Sequence, residues 1–362
     1  MPTPISVLIV GAGPCGLAAA LELARLNVPV RILDKNPTAS KESRAVAINP
    51  RTLDLLEPSG ATERLLAAGV KIVGARLVVD SRVRAQFDAT RIPHRFNFLL
   101  GLAQNETERV LAECLFARGV AVERGVEVVD VVSGADNATA RARTPDGDAL
   151  FTADWIIGAD GAHSTLRHRL GLEFPGAPYP YHWSLADVEL SGDAPPDKAE
   201  LRLEYRGPVL VRAPLGHGRH RLISNAPNVL LRVPESWKPG KVVWKSDFTV
   251  SHRMVRHRGR GRIRLVGDAA HVHSPAGGWG MNLGIEDAVT LARALTANGA
   301  LEDWERTQQR HAARTVRASD ALQRLATSEG FLGRALFPTL VEWLARVRPI
   351  HDYLIGRMAG VR

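Results

Sequence analysis

One stretch near the N-terminus constrains this chain most. An apolar run, Ile5 to Val10, leads into Gly11-Ala12-Gly13-Pro14-Cys15-Gly16. Leu17, Ala18, Leu21, Ala24 and Leu26 follow at helical spacing, and a second apolar run, Val28 to Leu33, ends at Asp34. Strand, G-x-G-x-x-G, helix, strand and acid is the dinucleotide-binding fingerprint in its full context. Gly11 permits the tight turn, Gly13 lets the backbone approach a pyrophosphate, and Gly16 lets helix and strand close together. The helix start offers free N–H groups and the positive end of its dipole to phosphate. Asp34, with Lys35 beside it, is placed to accept hydrogen bonds from ribose hydroxyls.

Two later stretches repeat the same grammar. A buried-strand pattern, Asp154 to Ala159, ends in Asp160-Gly161, and a short helix follows with Ser164 near its start and Arg167 in its first turns. Another strand, Arg262 to Val266, ends in Gly267-Asp268; a glycine loop then opens a helix running from Gly280 to about residue 297. Between these anchors, residues 179–258 are rich in Pro, Gly and strand formers. Asn49-Pro50 reads as a helix cap, and 51–68 as two short helices divided by Pro58-Ser59-Gly60. Asn105 and Glu108 predict a capping box for a helix to Arg118, and Pro145-Asp146-Gly147-Asp148 predicts a hairpin turn. Past residue 300 the pattern is helical, with breaks expected near Pro338 and Pro349.

Composition narrows the class. A chain of 362 residues, 45% hydrophobic and 23% charged, can bury a large core in two domains or one with an insertion. The net charge is +9, but the basic residues are scattered rather than blocked. The densest group, His252 to Arg260, reads as a basic surface favouring anionic small molecules, not nucleic acid. Cys15 and Cys114 lie in a glycine turn and a helix, so no disulfide is indicated. No apolar run is long enough to span a membrane, and the first residues lack a signal-peptide pattern; a soluble cytoplasmic protein is expected.

Together the three anchors resemble the FAD-dependent aromatic hydroxylases, the single-component flavin monooxygenases typified by p-hydroxybenzoate hydroxylase. The resemblance covers nearly the whole chain, with the anchors in the right order. It implies an α/β fold: a doubly wound FAD-binding domain (1–72, 104–178 and 259–330), an inserted β-sheet substrate domain (73–103 and 179–258) and C-terminal helices (331–362). By resemblance, FAD contacts come from Gly11, Gly13, Pro14, Gly16, Asp34 and Lys35. Arg44 matches the FAD-contacting Arg of the loop after the second strand, and Gln104 the FAD-contacting Gln. Asp268 matches the acid at the ribityl–pyrophosphate region, Pro275 the proline beside the flavin ring, and Gly280, Met281 and Asn282 the loop facing its N1–O2 edge. Asp160 matches a residue serving both FAD and the nicotinamide cofactor, and no second G-x-G-x-x-G follows a strand here.

The resemblance further implies NAD(P)H as co-substrate, O₂, and a flavin C4a-hydroperoxide that hydroxylates a phenolic or polycyclic ring. No side chain is singled out as catalytic and no metal is expected. His271-x-His273 lacks further ligands at suitable spacing and reads as structural or cofactor-adjacent. His217 and His220 are expected in a solvated turn, and Arg212, Arg221 and Arg232 are expected to face water. Tyr179, Tyr181, Trp183, Tyr205 and Phe248 are expected in sheet core, with some lining a pocket. Three departures stand out: Trp279 replaces a small or amide residue, the stretch from Ser224 to Lys245 is short by about a helix, and no thioredoxin-like tail is expected. The short stretch predicts a wider mouth over the flavin, suited to larger rings or prone to leak hydrogen peroxide. The alternatives are another flavin oxidoreductase on the same scaffold, though the halogenase W-x-W-x-I-P box is missing, and a turnover-impaired flavoprotein that binds an aromatic ligand.

Overall fold

The computed structural model describes residues 6–40, 44–204, 207–275, 277–297, 300–326 and 331–361; Ile5 and Tyr205 lie outside them. The first strand, Val7–Val10, sits in the middle of a six-stranded sheet. Its neighbours, Val30–Asp34 and Trp155–Gly158, both run parallel to it, and Val122–Arg124 and Ile263–Leu265 extend the sheet in parallel on either side. The sheet is thus wound outward in both directions from the first strand. Gly259–Arg260 adds an antiparallel edge.

One face of this sheet is covered by the helices Pro14–Arg25, Gln104–Phe116 and Gly280–Thr296, whose Leu, Ala and Ile side chains form the largest core. Gly16 is where helix meets strand: a Cβ there would overlap the Gly11 carbonyl oxygen. The other face is covered by an antiparallel sheet, Glu127–Ser133, Ala138–Thr144 and Gly147–Ala153. Its tight turn falls at Pro145-Asp146, where Thr144 pairs with Gly147 at φ +118°.

A second, eight-stranded sheet takes its strands from distant segments. Its order is Arg82–Asp88, Gly74–Val79, Lys198–Leu203, Leu210–Gly216, Arg219–Ser224, Gly176–Leu190, Pro239–Met254 and His271–Val272. The long strand Gly176–Leu190 is paired along both of its edges. One face gathers Trp183, Leu185, Ile223 and Val250 with Tyr179, Tyr181, Val211, Trp244 and Phe248. The opposite face gathers Ala186, Val188, Leu190, Leu210 and Leu222 under Val229 and Trp237.

Several sequence expectations change here. The stretch from Ser224 to Lys245 forms two short 3-10 turns, Val229–Arg232 and Glu235–Trp237. They pack on the second face, away from the aromatic cluster, so the length of this stretch does not set the opening there. Arg212 and Arg221 are fully buried rather than solvated, and His220 is buried in a strand. Arg258 is also fully buried, so the basic run from His252 is not simply surface. The helix expected to start at a capping box begins instead at Gln104, with Ala103 as its cap. Asn49 does cap its helix, accepting from the Thr52 N–H at 2.8 Å.

The C-terminal helices are Leu301–Ala326, Phe331–Arg346 and Arg348–Met358, and the second runs through position 338 without the expected break. They lie against the large sheet through Arg84–Glu342 and Arg91–Asp352, both at 2.9 Å, and through His351 stacked on Phe87. Among the described residues, no helix is long and apolar enough to cross a membrane.

Candidate cofactor site

The three anchors meet at one end of the parallel sheet. Gly11 has φ +102°, donates its N–H to the Leu33 carbonyl at 2.8 Å, and has no room for a Cβ beside Ala159. Only a residue without a side chain adopts that conformation in that space. Gly13 differs. A Cβ there would meet nothing within 4 Å, so its lack of a side chain answers no demand of the protein's own packing. It stands at the start of helix Pro14–Arg25, whose first turn has neither a side-chain cap nor an acid. Helix Gly280–Thr296 starts in the same way, with Trp279 as an uncapped N-terminus and no acid in its first turn. Two sets of free N–H groups are therefore left for an external acceptor.

Cys15 locks these two helices to the third anchor. A Cβ on Gly284 would lie 2.5 Å from the Cys15 sulfur, and one on Gly267 2.6 Å from it, so the thiol fills the space both glycines leave. Burial and the nearby Asp268 and Asp287 carboxylates push the Cys15 thiol well up, which keeps it neutral.

Asp34 ends the second strand and binds the glycine turn directly. Its Oδ2 accepts from the Ala12 N–H at 2.7 Å and its Oδ1 from the Asn36 N–H at 2.8 Å. Lys35 is exposed beside it. Gln104 donates to Glu108 at 2.9 Å and accepts from the Ala45 N–H at 3.2 Å, which ties the Arg44 loop to the helix below. Glu108 is the residue that sequence reasoning put to the wrong use. It lies buried near Asp34, and burial, then the Asp34 charge, push its carboxyl up to about 7 against the opposing Gln104 hydrogen bond.

Asp160 accepts from the Leu166 N–H at 3.1 Å through Oδ2, while its buried Oδ1 has no partner. Burial raises its carboxyl despite those hydrogen bonds. Asp268 is open to solvent yet closely flanked by protein: desolvation raises its carboxyl, and the charges of His271 and Arg44 pull the other way. Pro275 is exposed on the loop, and its carbonyl accepts from the Gly278 N–H at 2.9 Å. The Asn282 side chain is used within the protein: Oδ1 accepts from Asn49 N–H, and Nδ2 donates to Ala47 and Gly278 carbonyls, each at 2.9 Å. Its backbone and those of Gly280 and Met281 are what the first turn offers outward. The Trp279 ring packs over Gly277, where a Cβ would lie 2.5 Å away, and it lines a small pocket with Asn49, Asn282, His311 and Thr315.

Behind the loop a buried network fixes its position. Asp287 Oδ2 accepts from Arg258 and meets His271 Nε2, both at 2.6 Å, and all three residues are at most 1% exposed. Burial alone would raise the Asp287 carboxyl, but the Arg258 charge and His271 hold it below the ordinary range. In the eight-stranded sheet, Arg221 grips Asp187 with two bonds of 2.7 Å and gives a third, also 2.7 Å, to the Ala45 carbonyl. At the other end of the same sheet face, Tyr179 donates to Asp320 at 2.5 Å. The aromatic face of the large sheet is therefore pinned at both ends, and the strand His271–Val272 joins its edge directly to the glycine loop.

An FAD fits these residues: an open glycine cradle, two free helix starts, an unpaired buried Asp160 oxygen, and the exposed carboxylate of Asp268. Among the described residues no group of three or more His, Cys, Asp or Glu side chains is arranged to hold a metal ion.

The family described as FAD binding domain matches residues 4–205 and 227–324. 6-methylpretetramide 4-monooxygenase of Streptomyces rimosus is 34% identical, over 98% of this chain and 68% of its own length. Of two further curated relatives, the chain spans 63% and 57%. The solved anhydrotetracycline hydroxylase from Streptomyces rimosus superposes with a TM-score of 0.81 at 28% identity, over 99% of this chain and 76% of that one. The p-nitrophenol 4-monooxygenase from Pseudomonas putida shares the fold with a TM-score of 0.89 at 24% identity, over 100% and 99% of the two chains.

Proposed function

The chain belongs to the FAD binding domain family and, within it, to the FAD-dependent aromatic hydroxylases, and from that premise we propose that it hydroxylates a phenolic or polycyclic aromatic substrate with NAD(P)H and O₂. One observation carries the cofactor half of this reading: Gly11 and Gly16 are demanded by the protein's own packing, whereas Gly13 faces open space at a free helix start. Bound FAD would supply electron transfer from the nicotinamide and activation of O₂.

In this reading the residues divide the work along the cofactor. Gly13 and Gly16 present N–H groups to the pyrophosphate at the helix start that Pro14 opens, Gly11 makes the tight turn beneath them, and Asp34 and Lys35 meet the adenosine ribose. Arg44, Gln104 and Asp268 hold the middle, and Asp160 offers its unpaired oxygen at the junction with the nicotinamide cofactor. Pro275 and the N–H groups of Gly280, Met281 and Asn282 face the ring, where the helix dipole favours negative charge. The segments 1–72, 104–178 and 259–330 form the cofactor-binding part, and 73–103 with 179–258 the part that covers the ring and excludes water.

The test is direct. Precipitating the yellow protein should release FAD, and NAD(P)H oxidation should quicken with an aromatic substrate and yield a product heavier by one oxygen in mass spectrometry. FAD release with NAD(P)H oxidation but no oxygenated product across phenols and fused-ring phenols would favour another flavin reaction on this scaffold.

A further inference from the structure

Three rings on the aromatic face of the large sheet have nitrogens with nothing to bond. Trp183 is 5% exposed, packed with Leu185, Ile223 and Val250, and its Nε1–H has no acceptor. His252 Nδ1 has no partner, although the ring leans on Tyr179 at a centroid distance of 5.1 Å. Neither ring nitrogen of His273 has one. Buried polar atoms normally find partners, so a set of unpaired ones on a single face asks for a ligand.

The ladders place them in a row. Trp183 stands opposite Phe248, and His252 lies four residues further along that strand, on the same face by the two-residue repeat. The edge strand pairs Val272 with Arg253, so the next step sets His273 across from His252. From position 248 to 252 the strand rises about 13 Å, at roughly 3.3 Å per residue, more than one phenol ring can span. The row ends at the glycine loop: a Cβ on Gly280 would lie 3.9 Å from His273 Nε2.

Resting on the hydroxylase reading, we propose that Trp183, His252 and His273 form a positioning rail for a fused-ring substrate that carries a carbonyl oxygen towards Trp183 and a hydroxyl towards His273. An indole N–H only donates, so Trp183 requires an acceptor such as a keto or quinone oxygen. Burial, and then the neighbouring His271, pull the His273 pKa down to about 3, so its imidazole is neutral. A neutral imidazole has one N–H and one lone pair, which matches a hydroxyl better than a carboxylate or an amine. Between the two ends, Phe248 and Val250 supply an apolar bed for the rings.

The experiment titrates the FAD-loaded protein with three probes, 1,8-dihydroxyanthraquinone, anthraquinone and phenol, and reads binding from the flavin spectrum. Wild type should bind the dihydroxyanthraquinone at least tenfold more tightly than either of the others. Trp183→Phe and His273→Phe should each lose about tenfold for that probe, with FAD content unchanged, and His273→Gln should recover part of the loss. His252→Asn serves as an independent variant should either of the first two fold poorly. Equal affinity of wild type and variants for the dihydroxyanthraquinone, or no preference for it in wild type, overturns the rail. The binding comparison is read without turnover, so a failure of NAD(P)H-driven flavin reduction counts against the hydroxylase reading and not against this one.

Discussion

The two large sheets are specified by different atoms. In the parallel sheet the decisive groups are backbone ones: Gly11 at φ +102°, Gly16 against the Gly11 carbonyl, and two helix starts with free N–H groups. In the eight-stranded sheet they are side chains: Arg221 on Asp187, Arg212 on His220, and the aromatic cluster around Trp183. A demand for missing side chains can be met by one residue type, so it recurs as a motif. A demand for buried side chains can be met in many ways, so it leaves no such motif in the sequence.

Alanine at two of the fingerprint glycines separates packing from ligand binding, and should give the largest effect. Gly16→Ala drives a Cβ into a backbone oxygen that cannot yield, with an expected cost of roughly 5 kcal/mol or more and loss of FAD. Gly13→Ala adds a Cβ to open space at φ −74°, a conformation alanine adopts freely. The cofactor-free protein should therefore hold its stability or gain about 0.5 kcal/mol, while FAD binding weakens at least tenfold. Urea denaturation of both variants without cofactor, followed by FAD titration of Gly13→Ala, decides it. Equal destabilisation would mean that Gly13 too serves the fold.

The same contrast explains what could be read from the sequence. The fingerprint, the Asn49 cap and the hairpin at Pro145-Asp146 were legible because each depends on a local backbone need. Arg212, Arg221 and His220 were not. Alternating polar residues in a strand ordinarily mark a solvent face, but here Arg221 lies under the Ala45 loop and Arg212 and His220 lie on the face covered by Trp237. Asn105 and Glu108 mimic a capping box, yet Gln104 already opens the helix and Glu108 turns to it instead. The shortness of the stretch from Ser224 to Lys245 is legible in the sequence, but which face it covers is fixed by strand pairing that no local pattern reveals. Trp183 reads as a core aromatic from the sequence; its unpaired N–H is visible only once its neighbours are known.

Each half also contains a fully buried arginine bound to an aspartate, and removing the acid from each compares the halves on equal terms. Asp287→Asn takes the opposing charge from Arg258, which keeps its bonds to the Gln308 carbonyl and Gln309 Oε1, and at the same time weakens the contacts to His271 and the Gly267 N–H. The expected cost is about 4 kcal/mol. Asp187→Asn leaves Arg221 its bond to the Ala45 carbonyl and the Trp244 ring at 5.6 Å, so a cost nearer about 3 kcal/mol is expected. By contrast the exposed pair Arg31–Glu123 should be worth less than about 1 kcal/mol. Thermal denaturation ranks the three. A near-zero effect of Asp187→Asn would show that the large sheet is not held to the Ala45 loop through this pair.

The smallest effect lies in how the two halves respond to pH, because two buried groups act in opposite senses over overlapping ranges. Burial, reinforced by the Arg212 charge, pulls His220 down to about 4 from its ordinary 6.5. Between those values the unfolded chain binds the proton first, so this group's stabilisation is present above pH 6.5 and is lost as pH falls towards 4. Glu108 runs the other way. With its carboxyl raised from 4.5 to about 7, the folded chain holds the proton where the unfolded chain has released it. Its stabilisation relative to the unfolded chain is present below pH 4.5 and is lost as pH rises towards 7. Each contributes at most on the order of 3 kcal/mol across its window, and between pH 4.5 and 6.5 the two slopes oppose. Glu108→Gln should therefore make the stability of the cofactor-free protein rise more steeply with pH in that interval than wild type does. His220→Gln, which keeps an acceptor for Arg212, should make it rise less or fall. Urea midpoints taken every half unit of pH for the three proteins give the two difference curves. Curves of the same sign would mean that one of these groups exchanges its proton with solvent in the folded state as freely as in the unfolded one.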